Sequence, residues 1–208
     1  MADVTKNHVV VSPGSGSGDT TLSVKASPAN TGNRVAQVTN FTVTAPGVTP
    51  DKTFKVTLAA AAEFVSFNDG TEMVVSKSGG SVVIEGTSNS NKLTFSKGSG
   101  AVISDNMPAK VYAVNGNNAT NGMAIPDDPG ATAKYNFVLT LTATKNTTTA
   151  GRIQRITVVT ADNKTATITL KQAAGDAYLT VTPTEITVPQ DGTPAQVSVS
   201  TNTTFTVS

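Results

Sequence analysis

No cysteine and no tryptophan occur in this chain, and histidine occurs once among 208 residues. Without cysteine there are no disulfides, zinc–thiolate centres or thiol nucleophiles, so buried apolar side chains have to hold the fold together. Without tryptophan, and with only three tyrosines, little aromatic surface remains on which the apolar face of a sugar could pack. The lone His8 leaves no second imidazole for a metal site and no base for a catalytic triad. Charge is sparse as well. Asp, Glu, Lys and Arg make up 14% of the residues and leave a formal net charge of +1. No basic cluster appears, which removes the electrostatic case for nucleic acid or an anionic membrane as partner.

Long apolar runs are also missing. Near the N-terminus Val9-Val10-Val11 is broken at once by Ser12-Pro13-Gly14, short of the roughly 7–15 apolar residues of a secretory signal. No segment approaches the roughly 20 residues of a membrane helix. Read with Met1 as its start, the chain is expected to be made and kept in a cytoplasm.

What remains is 38% hydrophobic residues, enough for a core, set among threonine, serine and asparagine. The pattern is period two. Phe41–Thr44, Thr53–Leu58, Ile156–Val158, Ala166–Leu170 and Ala195–Val199 each place apolar and polar side chains on opposite faces, the mark of half-buried antiparallel strands. Turn formers separate them: Pro13-Gly14, Pro46-Gly47, Asn68-Asp69-Gly70, Ser78-Gly79-Gly80, Asp162-Asn163 and Asp191-Gly192. Strands at roughly ten-residue spacing with such punctuation predict an all-β sandwich. The one helix-tolerant run, Leu58–Glu63, reads as a strand end.

The chain also repeats itself. Thr53–Ala62 matches Thr165–Ala174 without a gap, and each is followed by an aromatic opening, Phe64-Val65-Ser66-Phe67 and Tyr178-Leu179-Thr180-Val181. Further on, Thr71–Val75 answers Thr184–Val188, and Leu93–Ser96 answers Phe205–Ser208. Upstream, Leu22–Ala26 answers Leu139–Ala143, and Gly32-Asn33-Arg34 answers Gly151-Arg152. The expected fold is therefore tandem immunoglobulin-like β-sandwich modules, one complete and two partial. Residues 1–62 form the second half of a module and a candidate anchoring region, 63–176 the complete module, and 177–208 the first half of a third. Within the complete module, 97–133 reads as a long insertion that the partial copies lack. Loops of that length are usually functional or contact a neighbour.

Tyr178–Val188, Asp191-Gly192, Gln196–Val199, Asn202–Val207 and the closing pattern Arg155–Gln172 resemble the BACON family of immunoglobulin-like modules, common in gut Bacteroidetes and their phages. The resemblance is strongest over 150–208, weaker over 20–96 and absent from 97–133. It departs from the family's usual pattern where Phe95 and Phe205 stand in place of tryptophan. It implies a sandwich fold and two roles seen in the family: binding carbohydrate or mucin, often beside glycoside hydrolases, and serving in virion proteins of crAss-like phages.

Little chemistry competes with these readings. Tyr178 and Tyr135 fall at core positions. Tyr112, with Asn117 and Asn118, is the candidate ligand contact in the insertion. Asp127 and Asp128, adjacent in a Pro-Asp-Asp-Pro-Gly turn, suit backbone capping, since neighbouring side chains diverge and cannot flank a scissile bond. With Asp105 they are a remote calcium candidate, because no spaced ligand loop surrounds them. Gly14–Gly18 lacks the Lys-Ser/Thr and helix of a phosphate loop, and no serine sits in a nucleophile elbow. No catalytic, cofactor or metal residue is expected.

Bare half-sandwiches expose edges and apolar faces. Three readings meet this: a chain that continues past Ser208, a reduced N-terminal sandwich docked on neighbours, or strands of one copy completing another. The expected function is structural: a phage virion component, such as a head fibre, capsid decoration or fibre-anchoring protein. Its expected partners are further copies of itself and other virion or capsid proteins, and its place is the virion. The alternative is a carbohydrate- or mucin-binding module of a secreted Bacteroidetes protein, extracellular and bound to surface glycans.

Overall fold

A computed structural model describes residues 2–103, 107 and 112–208. Asp105 and Val111 lie outside the described residues, and with them the calcium reading and the start of the strand expected at Val111–Val114. Among the described residues, apart from one three-ten turn at Pro129–Ala131, the elements are all strands. The protein is all-β, a series of immunoglobulin-like sandwich modules.

The N-terminal module holds β1 (Val4–Lys6), β2 (Val9–Ser12) and β3 (Ser23–Ala26) in one antiparallel sheet. A second sheet pairs β4 (Gln37–Val43) with β5 (Lys52–Leu58). Asn7 and His8, both at positive φ, make the two-residue turn between β1 and β2. His8 is exposed there. Between the sheets Val9, Val11 and Phe41 are buried against Phe54 and Val56, and the rings of Phe41 and Phe54 stack with centroids 5.3 Å apart.

The central module is a complete two-sheet sandwich. Its strands are β6 (Val65–Phe67), β7 (Glu72–Val75), β8 (Gly80–Ser88), β9 (Leu93–Lys97), β10 (Tyr112–Val114), β11 (Asn117–Ala119), β12 (Tyr135–Ala143), β13 (Arg152–Thr160) and β14 (Thr165–Gln172). One sheet runs in the order β11-β10-β12-β8-β6, the other β7-β14-β13-β9. In β12 every second residue is buried, from Tyr135 through Phe137, Leu139 and Leu141 to Ala143, as a strand packed on one face requires. Ile84, Leu93, Phe137, Leu139, Ile156, Ile168 and Leu170 are wholly buried between the sheets.

At the C-terminus β15 (Leu179–Thr182) and β16 (Ser198–Thr201) form a hairpin with Leu179 opposite Thr201. No second sheet covers it among the described residues. Tyr178, expected in a core, is therefore 47% exposed. Its repeat partner Phe64 is partly buried, whereas Tyr135 is core as expected.

Registers refine the repeat. Val11 faces Val24 on β3 as Val82 faces Leu141 on β12, so β2 takes the register of β8. Residues 1–62 thus carry more than a second half, and among described residues lack counterparts of β7 and β9. Leu58 faces Gln37, and its repeat partner Leu170 faces Gln154. Gln37 therefore answers Gln154, and Arg34 does not answer Arg152: Arg152 opens β13, while Arg34 precedes β4 in the joint. Leu58 ends β5, and Ala59–Ala62 are an extended connection rather than more strand.

Candidate functional site

The insertion is part of the module, not a surface loop. Val102, Ile103, Tyr112, Val114, Ala119 and Ile125 all enter the main core. Gln154, wholly buried on β13, holds its start: its Oε1 accepts the Ile103 N–H at 2.7 Å and its Nε2 donates to the Gly98 carbonyl at 2.9 Å. The return leg runs along the outer edge of β9. There the Asn121 amide accepts from and donates to the Phe95 backbone at 2.7 and 3.0 Å, and the N–H groups of Gly122 and Ile125 bond the Leu93 and Asn91 carbonyls. A sheet edge is thereby closed, which a sandwich otherwise leaves open to pairing.

Tyr112 lies inside this core. Its ring is 2% exposed and packs on Phe95 with centroids 4.9 Å apart. Burial pushes its phenol up to about 12, opposed by the nearby Leu93 backbone, and no hydrogen bond of good geometry reaches its hydroxyl. It offers no platform to a sugar, a correction with a simple cause: β10 pairs with β12 and turns Tyr112 inward. Asn117 and Asn118 are exposed on β11 at the sheet edge. With Asn115 and Asp127 they border a groove of about 420 Å³ whose floor includes Val114 and Ile125. The structure thus separates the three sequence-predicted contacts, two beside a groove and one in the core.

A second cluster lies where the first module meets the central one, unsignalled by any motif. Arg34 donates Nε to the Asn89 carbonyl and Nη2 to the Asp128 carboxylate, and its Nη1 lies 4.0 Å from Glu63. Glu63, only 8% exposed, accepts the Asp162 N–H at 2.9 Å. The Gly130 carbonyl accepts the Arg34 N–H at 3.3 Å. A side chain at Gly130 would collide with the Asn89 carbonyl, so this turn packs directly on the joint. Asp128 is therefore an ion-pair partner as well as a turn residue, while Asp127 points to the groove. The cluster holds an arginine between two carboxylates and fastens the Asp128–Gly130 turn to the joint. Among the described residues no three His, Asp or Glu side chains converge as metal ligands.

No family model matches the chain, and no curated protein matches it. Among solved structures, three align with part of the chain at low identity. A Bacteroides ovatus GH5 xyloglucanase in complex with a XXXG heptasaccharide aligns over 55% of this chain and 20% of its own, at 13% identity and a TM-score of 0.33. The NMR structure of a protein from Bacteroides thetaiotaomicron aligns over 55% and 90%, at 16% identity and a TM-score of 0.27. Mouse clustered PcdhgC3 EC1-3 aligns over 82% and 55%, at 14% identity and a TM-score of 0.40. The chain spans about a fifth of the xyloglucanase and about half of the mouse protein. Likeness at this level assigns no activity, ligand or partner.

Proposed function

We propose that this protein is a structural component of a phage virion, a head fibre, capsid decoration or fibre-anchoring protein, acting by assembly and display. One observation carries the reading. The C-terminal hairpin exposes Leu179, Val181, Val197 and Val199, with Phe205 and Val207 beyond it, and apolar surface of this extent on one element marks an interaction face. The resemblance to BACON modules, found in virion proteins of crAss-like phages, supplies the setting. Its partners in this reading are further copies of the chain and other capsid proteins, and its place is the virion. Light scattering on a sizing column tests the proposal: a closed oligomer or a concentration-dependent polymer is the expected result, and a monomer at all concentrations overturns assembly.

A second reading rests on the groove beside Asn117, Asn118 and Asp127, whose exposed amides and carboxylate could bond sugar hydroxyls. In that case the chain is a carbohydrate- or mucin-binding module of a secreted protein. A glycan screen decides it. Binding that is lost in Asn118→Ala supports it, and no binding to mucin-type or plant glycans removes it.

A further inference from the structure

The two joints of this chain are made by the same hydrogen bonds. At the first, Asn89 follows β8 and is wholly buried. Its Nδ2 donates to the Gly32 carbonyl at 3.2 Å and the Ala62 carbonyl at 3.0 Å, and its Oδ1 accepts the Phe64 N–H at 2.9 Å. At the second, Asn202 follows β16. Its Nδ2 donates to the Thr147 and Asp176 carbonyls at 2.8 and 2.9 Å, and its Oδ1 accepts the Tyr178 N–H at 3.1 Å. Phe64 and Tyr178 are the repeat-matched openings, and Ala62 and Asp176 each stand two residues ahead of them. Gly32 and Thr147 lie in the matching loops, β3 to β4 and β12 to β13.

The agreement extends along the connection. Three residues ahead of each aromatic, the N–H groups of Ala61 and Gly175 donate to the Asn33 and Thr148 carbonyls at 2.7 and 2.8 Å. Five residues ahead, the carbonyls of Ala59 and Ala173 accept from the side-chain amides of Asn30 and Asn146, both at 2.9 Å. Two asparagines per joint therefore satisfy a connecting segment that would otherwise be free. An asparagine side chain can do this because it carries an acceptor and two donors at once, and so bonds three backbone groups from the old module, the connection and the new module.

We infer that Asn89 and Asn202 are equivalent locking residues, which set each module on its predecessor by one repeated set of bonds. The last hairpin is held by the same lock as the complete module. The first joint carries a further clamp, because Arg34 ties it to the insertion through Asp128 and Gly130. The second has in its place the exposed Lys77–Asp176 pair at 2.6 Å. Neither lock depends on what the chain displays or on whether copies assemble.

The test uses the whole chain with Asn202→Ala and Asn202→Asp. Asn202 is partly exposed and outside the main core, so the central module folds in both. Amide hydrogen exchange at Tyr178 is expected to quicken about tenfold or more in Asn202→Ala. It should change less in Asn202→Asp, which keeps the acceptor and loses both donors. Limited proteolysis between 173 and 178 should rise in both variants, with the melting of the central module unchanged, and Asn118→Asp serves as a control that moves neither. Exchange and cleavage at wild-type rates in folded Asn202→Ala overturn the inference. Asn89→Asp extends the test to the first joint, where cleavage between 59 and 63 is the readout.

Discussion

Gly86 faces Phe137 across β8 and β12, and the Phe137 ring lies over it. A Cβ there would collide with that ring and with the Ser66 carbonyl, and φ plays no part. Gly86→Ala is therefore expected to destabilise the central module by about 1–3 kcal/mol, the usual cost of overpacking a dense core, measured by chemical denaturation. Tyr112 gives the opposite forecast. Its buried hydroxyl approaches the Leu93 backbone but makes no hydrogen bond of good geometry, and a poorly satisfied group costs about 1–3 kcal/mol, so Tyr112→Phe should leave the denaturation midpoint equal or raised. A loss above about 1 kcal/mol would show that the hydroxyl is satisfied. Burial also raises the phenols of both Tyr112, to about 12, and Tyr135. Folding favours their neutral forms, so their contribution is complete below the ordinary value of about 10 and is lost as pH rises through the folded values. The melting temperature should hold to about pH 10 and fall as pH climbs toward 12, with tyrosinate absorbance appearing as the module opens.

At the scale of elements, the insertion carries the clearest forecast. A surface loop can be shortened at little cost. Excising 99–131 instead removes Val102, Ile103, Tyr112, Val114 and Ile125 from the core and bares the edges of β9 and β12. Large buried side chains are worth about 2–5 kcal/mol each, so the excised protein should lose cooperative unfolding altogether. A variant that still melts sharply would return the insertion to the status of a loop. The second joint has an acid limit. A hydrogen bond from Lys77, reinforced by its charge, holds the Asp176 carboxyl below the usual carboxylate range. The pair is intact above that range and is lost as pH falls through the lowered value. Cleavage near 176 should stay constant from neutral to mildly acid pH and rise only below the ordinary range.

Across the whole molecule, the main core draws only on residues 67–170, with Val65 packed against it. Deleting 178–208 should therefore shift the unfolding of the central module by no more than about 0.5 kcal/mol. If assembly runs through the exposed hairpin, the same deletion abolishes association in light scattering, and unchanged assembly refutes that route. The all-β class, the series of modules and most strand centres were legible in the chain, because period-two alternation and turn residues act over neighbouring positions. Phe41–Thr44 overlaps the last three residues of β4, which begins earlier at Gln37, and Gly47, Gly70, Gly79 and Gly192 all take the positive φ that their turns suggested. Periodicity could not reveal that a segment as irregular as 97–133 would insert six apolar side chains between the sheets, or that β1 and β2 would supply first-half strands without matching the repeat.

The sequence alone determined the inward faces of strands such as β13 and β14, where Ile156, Val158, Ile168 and Leu170 are buried as their alternation requires, since that is written in local spacing. Tertiary structure alone decided what Tyr112, Asn89, Asn202 and Arg34 do. Their roles depend on partners far away in the chain, from 24 to 94 positions for the joint contacts of Asn89, Asn202 and Arg34. An asparagine that closes a joint looks, in sequence, like any other asparagine after a strand, because the backbone groups it bonds are brought to it only by the packing of one module on the next.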